Sequence, residues 1–92
     1  MTTTLIQKEE IPHYTCLRCE NLLSDEEKVN RKIKLQKGQI LGNAYKSKVK
    51  IVFNTTQGLK AVETTIWTVG EEYIVLKGGV TIPLYAVVDI EL

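Results

Sequence analysis

Residues 46–92 read KSKVKIVFNTTQGLKAVETTIWTVGEEYIVLKGGVTIPLYAVVDIEL, and the spacing of apolar residues in this stretch decides the fold. Val49, Ile51 and Phe53 alternate with polar residues. A period of two is typical of a strand with one buried face and one solvated face. The stretch therefore predicts β-structure that begins near Lys46.

Turn-forming residues divide the rest of this stretch into further strands. The run from Leu59 to Val69 is rich in β-branched and aromatic residues, which predicts a long strand that bends sharply. Pro83 ends the fourth strand because proline cannot donate a ladder hydrogen bond, and residues 84–86 form a single tight turn. The expected strands are residues 46–54, 59–69, 73–77, 80–82 and 87–92.

Five short strands need closure, because a small open sheet leaves bare edges and one unfilled face. A helix precedes them. Ser24 and Glu27 have the spacing of a capping box, lysines follow in the last expected turn, and Gly38 is a natural C-cap. We therefore predict a mainly β, α+β domain over residues 23–92, with a helix at about 25–37 and a five-stranded antiparallel barrel at about 46–92.

The first 22 residues show neither helical nor strand periodicity and contain Pro12, so we predict a flexible N-terminal arm over residues 1–22. Its apolar residues Leu5, Ile6 and Ile11 could dock on a neighbouring molecule. The chain carries no apolar run of the length that a membrane span needs, and its start lacks the pattern of a secretory signal. We therefore expect a cytoplasmic protein with no membrane partner and with reduced cysteines.

The order of a helix and five strands, with a one-turn break before the last strand, resembles the Sm-like small barrels within the SH3-like class. The stretches Tyr73–Lys77 and Ile82–Ile90 resemble the third to fifth strands of the Hfq family of bacterial RNA chaperones, and they are also similar to the Rho-inhibitor family. The resemblance covers about half of the chain and implies membership of an uncharacterised family of small bacterial barrels. Lys60-Ala61-Val62-Glu63 and Leu84-Tyr85-Ala86 lack the glycine and the Tyr-Lys-His step of the Hfq pattern, so the resemblance implies the fold and no RNA site.

His13, Cys16 and Cys19 have a spacing that suits a metal ion, since thiolates three residues apart can hold one Zn²⁺. A structural zinc site needs four ligands, so a second chain would have to complete it. Two ordinary reduced cysteines are the simpler interpretation, and we expect no cofactor. The chain also has a single histidine, no phosphate-binding loop and no evident catalytic set, so we do not expect an enzyme.

Charge gives the strongest functional indication, because residues 28–62 contain nine basic residues and no Asp or Glu. Lysines on one strand face beside a lysine-rich helix end can follow a phosphate backbone. They can equally offset a helix dipole or keep an edge strand from aggregating. The candidate nucleic-acid-binding residues are Lys28, Arg31, Lys32, Lys34, Lys46, Lys48, Lys50 and Lys60.

Exposed strand edges favour a second class of partner, because another chain can add a strand to them. Self-association of the barrel by edge pairing follows from the same argument. The sequence thus predicts a non-enzymatic binding module for a protein or a nucleic acid. A purely structural or oligomeric scaffold and a zinc protein are the alternatives.

Overall fold

The structure is a computed structural model that describes residues 3–19 and 23–92. It is an α+β fold with one long helix and two sheets. The helix α1 is Asp25–Tyr45, and 3-10 helices are formed by Lys8–His13 and Leu84–Ala86. The strands are β1 Thr4–Ile6, β2 Val49–Thr55, β3 Gly58–Thr64, β4 Ile66–Val69, β5 Tyr73–Leu76, β6 Thr81–Pro83 and β7 Val87–Glu91.

The start of α1 is the predicted capping box. The Glu27 amide donates to Ser24 Oγ at 3.1 Å, and the Ser24 amide donates to Glu27 Oε1 at 3.2 Å. Asp25, Glu26 and Glu27 occupy the first turn, where carboxylates offset the positive end of the helix dipole. The predicted beginning of the helix is confirmed.

The predicted end of the helix at residue 37 is wrong, because α1 continues for two further turns. Lys46 is the C-cap, with a left-handed φ of 53°, and its amide donates to the Gly42 carbonyl oxygen at 3.0 Å. Gly38 and Gly42 are buried inside the helix, where they allow close packing rather than a stop. Lysines 28–37 consequently lie in the first and middle turns, and the last turn of α1 has no basic residue.

The predicted five-stranded closed barrel is also corrected. Four strands form one sheet in the order β1-β3-β2-β7, and three form another in the order β4-β5-β6. The expected long bent strand is interrupted at Thr65, so that β3 belongs to the first sheet and β4 to the second. This interruption and the additional strand β1 raise the count of strands from the predicted five to seven in the described residues.

The turns follow the sequence closely. Thr55 pairs with Gly58 across the predicted hairpin, and Thr55 Oγ1 donates to the Gly58 carbonyl oxygen at 2.8 Å. Gly78 and Gly79 have φ values of 89° and 85°, which L-residues with a side chain rarely adopt. The connection that they form spans four residues, from Lys77 to Val80, which is two more than the sequence predicted. The one-turn break at Leu84–Ala86 before the last strand is confirmed.

The core lies between the two sheets and under α1. The inward positions of β2 alternate as predicted, and Ile51 and Phe53 have no solvent exposure. Their neighbours across the core are apolar residues of the remaining strands. These are Val62, Ile66, Ile74, Leu76, Ile82, Val87 and Ile90.

Residues 3–19 contain regular structure where the sequence predicted a flexible arm. Strand β1 pairs with β3 in parallel, with Ile6 opposite Val62. Ile6 and Ile11 are buried in the same core as the strands, so these apolar residues dock on their own domain. The sequence did not indicate this docking, because the segment has few apolar residues and a three-residue strand is too short to show a period. The parts of the predicted arm at residues 1, 2 and 20–22 lie outside the described residues.

The length and the polarity of α1 decide whether this helix is suited to cross a membrane. The helix has 21 residues, and charged side chains occur throughout its first thirteen. In residues 3–19 and 23–92, no helix combines the length and apolar character that crossing a membrane requires.

The close contact of α1 with β4 predicts an unusual effect of alanine at Gly42. An ideal Cβ at Gly42 would lie 2.3 Å from the Ile66 carbonyl oxygen, whereas a Cβ at Gly38 would meet only the end of the Ile66 side chain at 3.1 Å. We expect Gly42→Ala to lower the free energy of unfolding by about 2 kcal/mol, because backbone cannot move aside as a side chain can.

The matched control is Gly38→Ala, which we expect to change stability by less than about 1 kcal/mol because alanine is the better helix former. Urea unfolding followed by circular dichroism measures both. Equal stability of the two variants would contradict the close approach of α1 to β4.

Candidate binding groove beside helix α1

Arg31 is a structural residue of the predicted basic set. Its guanidinium Nη1 donates to the carbonyl oxygens of Leu84 and Val87 at 3.2 and 3.0 Å. These two carbonyls flank the one-turn break before β7. The arginine therefore holds the 3-10 helix Leu84–Ala86, which connects β6 to β7, against α1.

Two further members of the basic set are paired with acids of β7. Lys34 Nζ lies 2.9 Å from Asp89 Oδ1, and Lys50 Nζ lies 3.4 Å from Glu91 Oε2. Lys50 also stands opposite Glu63 on the other neighbouring strand. The acids come from outside residues 28–62, so the fold offsets charge that the linear sequence leaves uniformly positive.

The predicted row of lysines on one strand face does not exist. Lys46 caps the helix and Lys48 lies in the connection, because β2 begins only at Val49. Only Lys50 is in the strand. Lys60 lies apart from these residues on β3, with its Nζ 5.4 Å from the centroid of the Tyr14 ring.

Lys28 and Lys32 lie together on the rim of a groove of about 680 Å³ between α1 and the connection from β4 to β5. Neither lysine has an ion-pair partner in the described ranges. Apolar side chains form much of the lining, and Glu71 is the only acid among the lining residues that the structure describes. The lining residues are Lys28, Val29, Arg31, Lys32, Leu35, Gln36, Gln39, Val69, Gly70, Glu71 and Leu84.

Hydrogen bonds fix the walls of this groove. Gln39 Oε1 accepts from the Val69 amide at 3.0 Å, which joins α1 to the end of β4. The Leu84 amide donates to the Glu72 carbonyl oxygen at 2.9 Å, and Arg31 binds the Leu84 carbonyl. The groove is therefore shaped before any ligand arrives, which lowers the entropic cost of binding.

The groove combines an apolar floor with positive charge on one rim. Val69 and Leu84 are half-buried and Leu35 is buried, so a bound apolar side chain would lose contact with water there. Lys28 and Lys32 can attract a carboxylate or a phosphate at the rim. Among the lining residues within 3–19 and 23–92 there is no Ser, Thr, Cys or His that could act as a nucleophile with a base.

The sequence analysis identified Lys28, Arg31 and Lys32 but missed the groove. Its opposite wall, Val69 to Glu71 and Leu84, comes from segments that are distant in sequence. The two walls of the groove come together only because α1 packs against β4, and no local sequence pattern indicates that packing. Comparisons with protein-family models, curated proteins and solved structures find no match to this chain.

The candidate metal ligands are not brought together. Cys19 is buried and its Sγ donates to the Val87 carbonyl oxygen at 3.3 Å, while Cys16 forms an isolated bridge with Thr55 at the end of β2. Neither cysteine forms a disulfide, and His13 is exposed at the end of its 3-10 helix. In the part of the chain that the structure describes, no three His, Cys, Asp or Glu side chains form a cluster suited to a metal ion.

The aromatic residues fall into two groups. Phe53 is fully buried, as its phase in β2 predicted. Trp67 and Tyr73 are about half exposed, and Tyr85 lies under the guanidinium of Arg18 at 4.8 Å. Neither Trp67 nor Tyr73 lines the groove, and none of its described lining residues is aromatic.

Replacement of Arg31 tests its structural role. We expect Arg31→Met to lower the free energy of unfolding by about 2 kcal/mol, because two carbonyls lose a charged donor. Lys32→Met is the matched control and should change stability by less than about 0.5 kcal/mol, since Lys32 is exposed. Chemical unfolding curves compare them, and a neutral Arg31→Met would show that the two hydrogen bonds contribute little.

The two cysteines should differ from each other in alkylation. Burial raises the pKa of the Cys16 thiol, so less thiolate is present at a given pH than in an unfolded chain. We expect iodoacetamide at about pH 8 to modify Cys16 more slowly in the folded protein than in urea, and to reach buried Cys19 only in urea. Peptide mass spectrometry over time measures both rates.

The same shift has a consequence for stability. Because the folded-state pKa of Cys16 lies above the unfolded value, its contribution to stability is fully present below the ordinary pKa of cysteine. That contribution is lost as the pH rises through the raised value. A folded-state alkylation rate for Cys16 equal to that in urea would contradict the raised pKa.

Proposed function

We propose that this chain is a non-enzymatic protein-binding module whose groove beside α1 holds an acidic segment with apolar side chains. The observation that carries the proposal is the juxtaposition of Lys28 and Lys32 with the apolar floor formed by Leu35, Val69 and Leu84. Apolar side chains of the ligand would provide the burial, and its carboxylates would pair with the two lysines. Charges at such a rim mainly accelerate association and select the partner.

The distribution of charge supports a protein ligand over a nucleic acid. A phosphate backbone is followed by several adjacent cations, whereas Lys34 and Lys50 are paired with Asp89 and Glu91. Arg31 is engaged with backbone carbonyls. What remains at the groove is a pair of lysines on the α1 side of an apolar surface, with Glu71 on the opposite wall, and the two lysines suit a short acidic peptide.

Nucleic-acid binding is the second candidate, and one observation favours it. Lys28, Lys32, Lys37, Lys46 and Lys48 have no acidic partner within the described residues. Such a surface would bind phosphates without reading sequence, and its affinity would fall steeply with salt.

The wider class of the protein is part of this proposal. The order from β2 to β7, with a one-turn break before the last strand, supports a relationship to the Sm-like and SH3-like small barrels. Function does not follow from that relationship, because small β-folds carry many unrelated sites. A cytoplasmic location, an uncharacterised bacterial family and self-association by strand-edge pairing remain predictions, as do a scaffold role and a zinc site shared with a second chain.

Selection from a library of random peptides displayed on phage tests the proposed function. We expect the immobilised protein to enrich peptides with Asp or Glu next to large apolar residues. Fluorescence anisotropy with one synthesised enriched peptide then gives its affinity. Lys28→Glu combined with Lys32→Glu should weaken binding by about tenfold or more, because attraction becomes repulsion at the rim.

Two further variants separate the groove from general charge. Gln36→Trp should block the groove without changing charge, since Gln36 is exposed and lines it. Lys48→Glu combined with Lys77→Glu makes the same change in charge elsewhere and should alter peptide affinity by less than about twofold. No enriched peptide, or one whose binding survives the groove variants, would refute the proposal; salt-sensitive binding of generic single-stranded RNA, weakened by Lys48→Glu as well, would establish the second candidate.

A further inference from the structure

A second cavity lies at the edge of the second sheet and has a volume of about 430 Å³. One of its walls is β6 with the end of the connection before it, and the other wall comes from residues 11–16. Tyr85, in the 3-10 helix after β6, also lines it. Strand β6 is an outer strand of its sheet, so we call this cavity the edge pocket. None of its described lining residues belongs to the groove beside α1.

Main-chain hydrogen bonds hold the walls of the edge pocket. The Cys19 amide donates to the Tyr85 carbonyl oxygen at 2.8 Å, which joins the two walls at one end. The Thr56 amide donates to the Thr15 carbonyl oxygen at 3.0 Å, which fixes the N-terminal wall to the turn between β2 and β3. The pocket is therefore formed before a ligand arrives, and less entropy is lost on binding.

The lining of the edge pocket combines apolar surface with hydroxyl groups, and no described lining residue carries a charge. Two prolines, an isoleucine and a valine supply apolar surface. Burial raises the pKa of the Cys16 thiol, so this lining group stays uncharged at neutral pH. In the described residues, no side chain or carbonyl accepts a hydrogen bond from the lining hydroxyls, which are therefore available to a ligand. These hydroxyls belong to Tyr14, Thr15, Thr81 and Tyr85.

Two cations lie on the aromatic rings that line the edge pocket. The Arg18 guanidinium is 4.8 Å from the centroid of the Tyr85 ring, and Lys60 Nζ is 5.4 Å from the centroid of the Tyr14 ring. Within residues 3–19 and 23–92, neither cation has an acidic partner. A cation is attracted to the face of an aromatic ring, so both charges are kept beside the pocket. They give an uncharged cavity a positive border.

Lys8 brings a third positive charge to the connection between β5 and β6. Its Cε would lie 3.5 Å from a Cβ placed on Gly78, and the next residue, Gly79, lines the pocket. Lys8 also pairs with the exposed Glu9 at 3.7 Å, so this charge is partly offset. The positive border consequently depends mainly on Arg18 and Lys60.

We propose that the edge pocket binds a small organic acid, with the apolar body of the ligand between the walls and its carboxylate at the border near Arg18 and Lys60. The volume falls within the range of roughly 300–1,000 Å³ that is typical of small-molecule pockets. Burial of the apolar body supplies affinity, and the lining hydroxyls can donate to the carboxylate.

Charge and shape select this class of ligand. The positive border attracts an anion, gives a neutral molecule no such gain and repels a cation. The hydrogen bond between Cys19 and Tyr85 closes one end of the edge pocket. A compact ligand therefore fits better than a polymer that would have to continue through the pocket.

Capture of small molecules by Cys16 tests the proposal, because this thiol lines the edge pocket. The full chain is incubated with aryl disulfides, each prepared as a carboxylic acid and as the matched amide, with 2-mercaptoethanol as competitor. The Cys16 thiolate attacks a disulfide, bonds to the sulfur of the aryl half and releases the other half as a thiol. Intact-protein mass spectrometry measures the captured fraction, and peptide mapping should place it on Cys16 because Cys19 is buried.

The wild-type protein should capture each acid about fivefold more than its amide, since two cations lie beside the carboxylate. Bis(2-hydroxyethyl) disulfide has no apolar body and gives the baseline reactivity of the thiol. Aryl acids should be captured well above that baseline because their rings are buried in the pocket.

Paired variants separate the border from general charge. Arg18→Met combined with Lys60→Met should reduce the preference for acids to less than about twofold, because the rings keep an apolar neighbour but lose the cations. Lys37→Met combined with Lys48→Met removes the same charge from exposed positions that do not line the pocket. This control should keep the wild-type preference.

Thr15→Trp tests the cavity itself. Thr15 is exposed and lines the edge pocket, so tryptophan would fill the space without a change of charge. Capture of aryl acids should fall by about tenfold, whereas capture of bis(2-hydroxyethyl) disulfide should change by less than about twofold. Circular dichroism checks that each variant keeps the fold.

Three results would overturn the inference. Capture of aryl acids no greater than the baseline means that no apolar ligand binds beside Cys16. Equal capture of acids and amides means that the pocket does not select an anion. A preference for acids that survives Arg18→Met with Lys60→Met does not come from the border. Failure of peptide binding at the groove would change none of these measurements, since the two sites share no described lining residue.

Discussion

The close approach of α1 to the junction of β3 and β4 is the contact on which the rest of the structure depends. At Gly42 the helix backbone lies so near the Ile66 carbonyl that a side chain would not fit. At the same junction the Thr65 carbonyl accepts the Lys77 amide at 2.9 Å. The chain therefore leaves one sheet and enters the other directly beneath the helix. A single packing contact thus fixes both the long helix and the division of the strands into two sheets.

The side chains on the packed face of this helix change in size along its length. Gly38 and Gly42 let the C-terminal half of α1 lie directly on β4. Towards the N-terminus, Leu35 and Arg31 occupy the equivalent positions; Leu35 is buried, and Arg31 binds the Leu84 carbonyl. The space that opens between α1 and the β4 to β5 connection is the groove. Neither Gly38 nor Gly42 lines it, so the groove lies beside the half of the helix that carries large side chains on this face.

Local chemistry made much of the fold predictable, and long-range packing accounts for what was missed. The capping box at Ser24 and the period of two in β2 depend on neighbours in sequence, so both were predicted correctly. Gly38 carries no such information, because glycine suits a helix end and a close helix–strand contact equally well. In the structure Gly38 lies against Ile66, so it serves the close helix–strand contact and does not end the helix. That contact joins residues far apart in the chain. The groove depends on the same contact, so the sequence indicated two of its lysines and none of its opposite wall.

The charge of the surface could also be predicted only in part from the sequence. In the linear sequence the charged residues of 28–62 are all basic. In the fold, however, Asp89 and Glu91 of β7 form ion pairs with Lys34 and Lys50. A charge pattern along a sequence therefore predicts the charge of the folded surface only where no strand from elsewhere in the chain brings opposite charge to it. On α1 the fold adds none beside Lys28 and Lys32 in the described residues, and there the positive charge borders apolar side chains. Electrostatics and burial act together at that one place, which is why the proposed ligand is an acidic apolar segment rather than an extended polyanion.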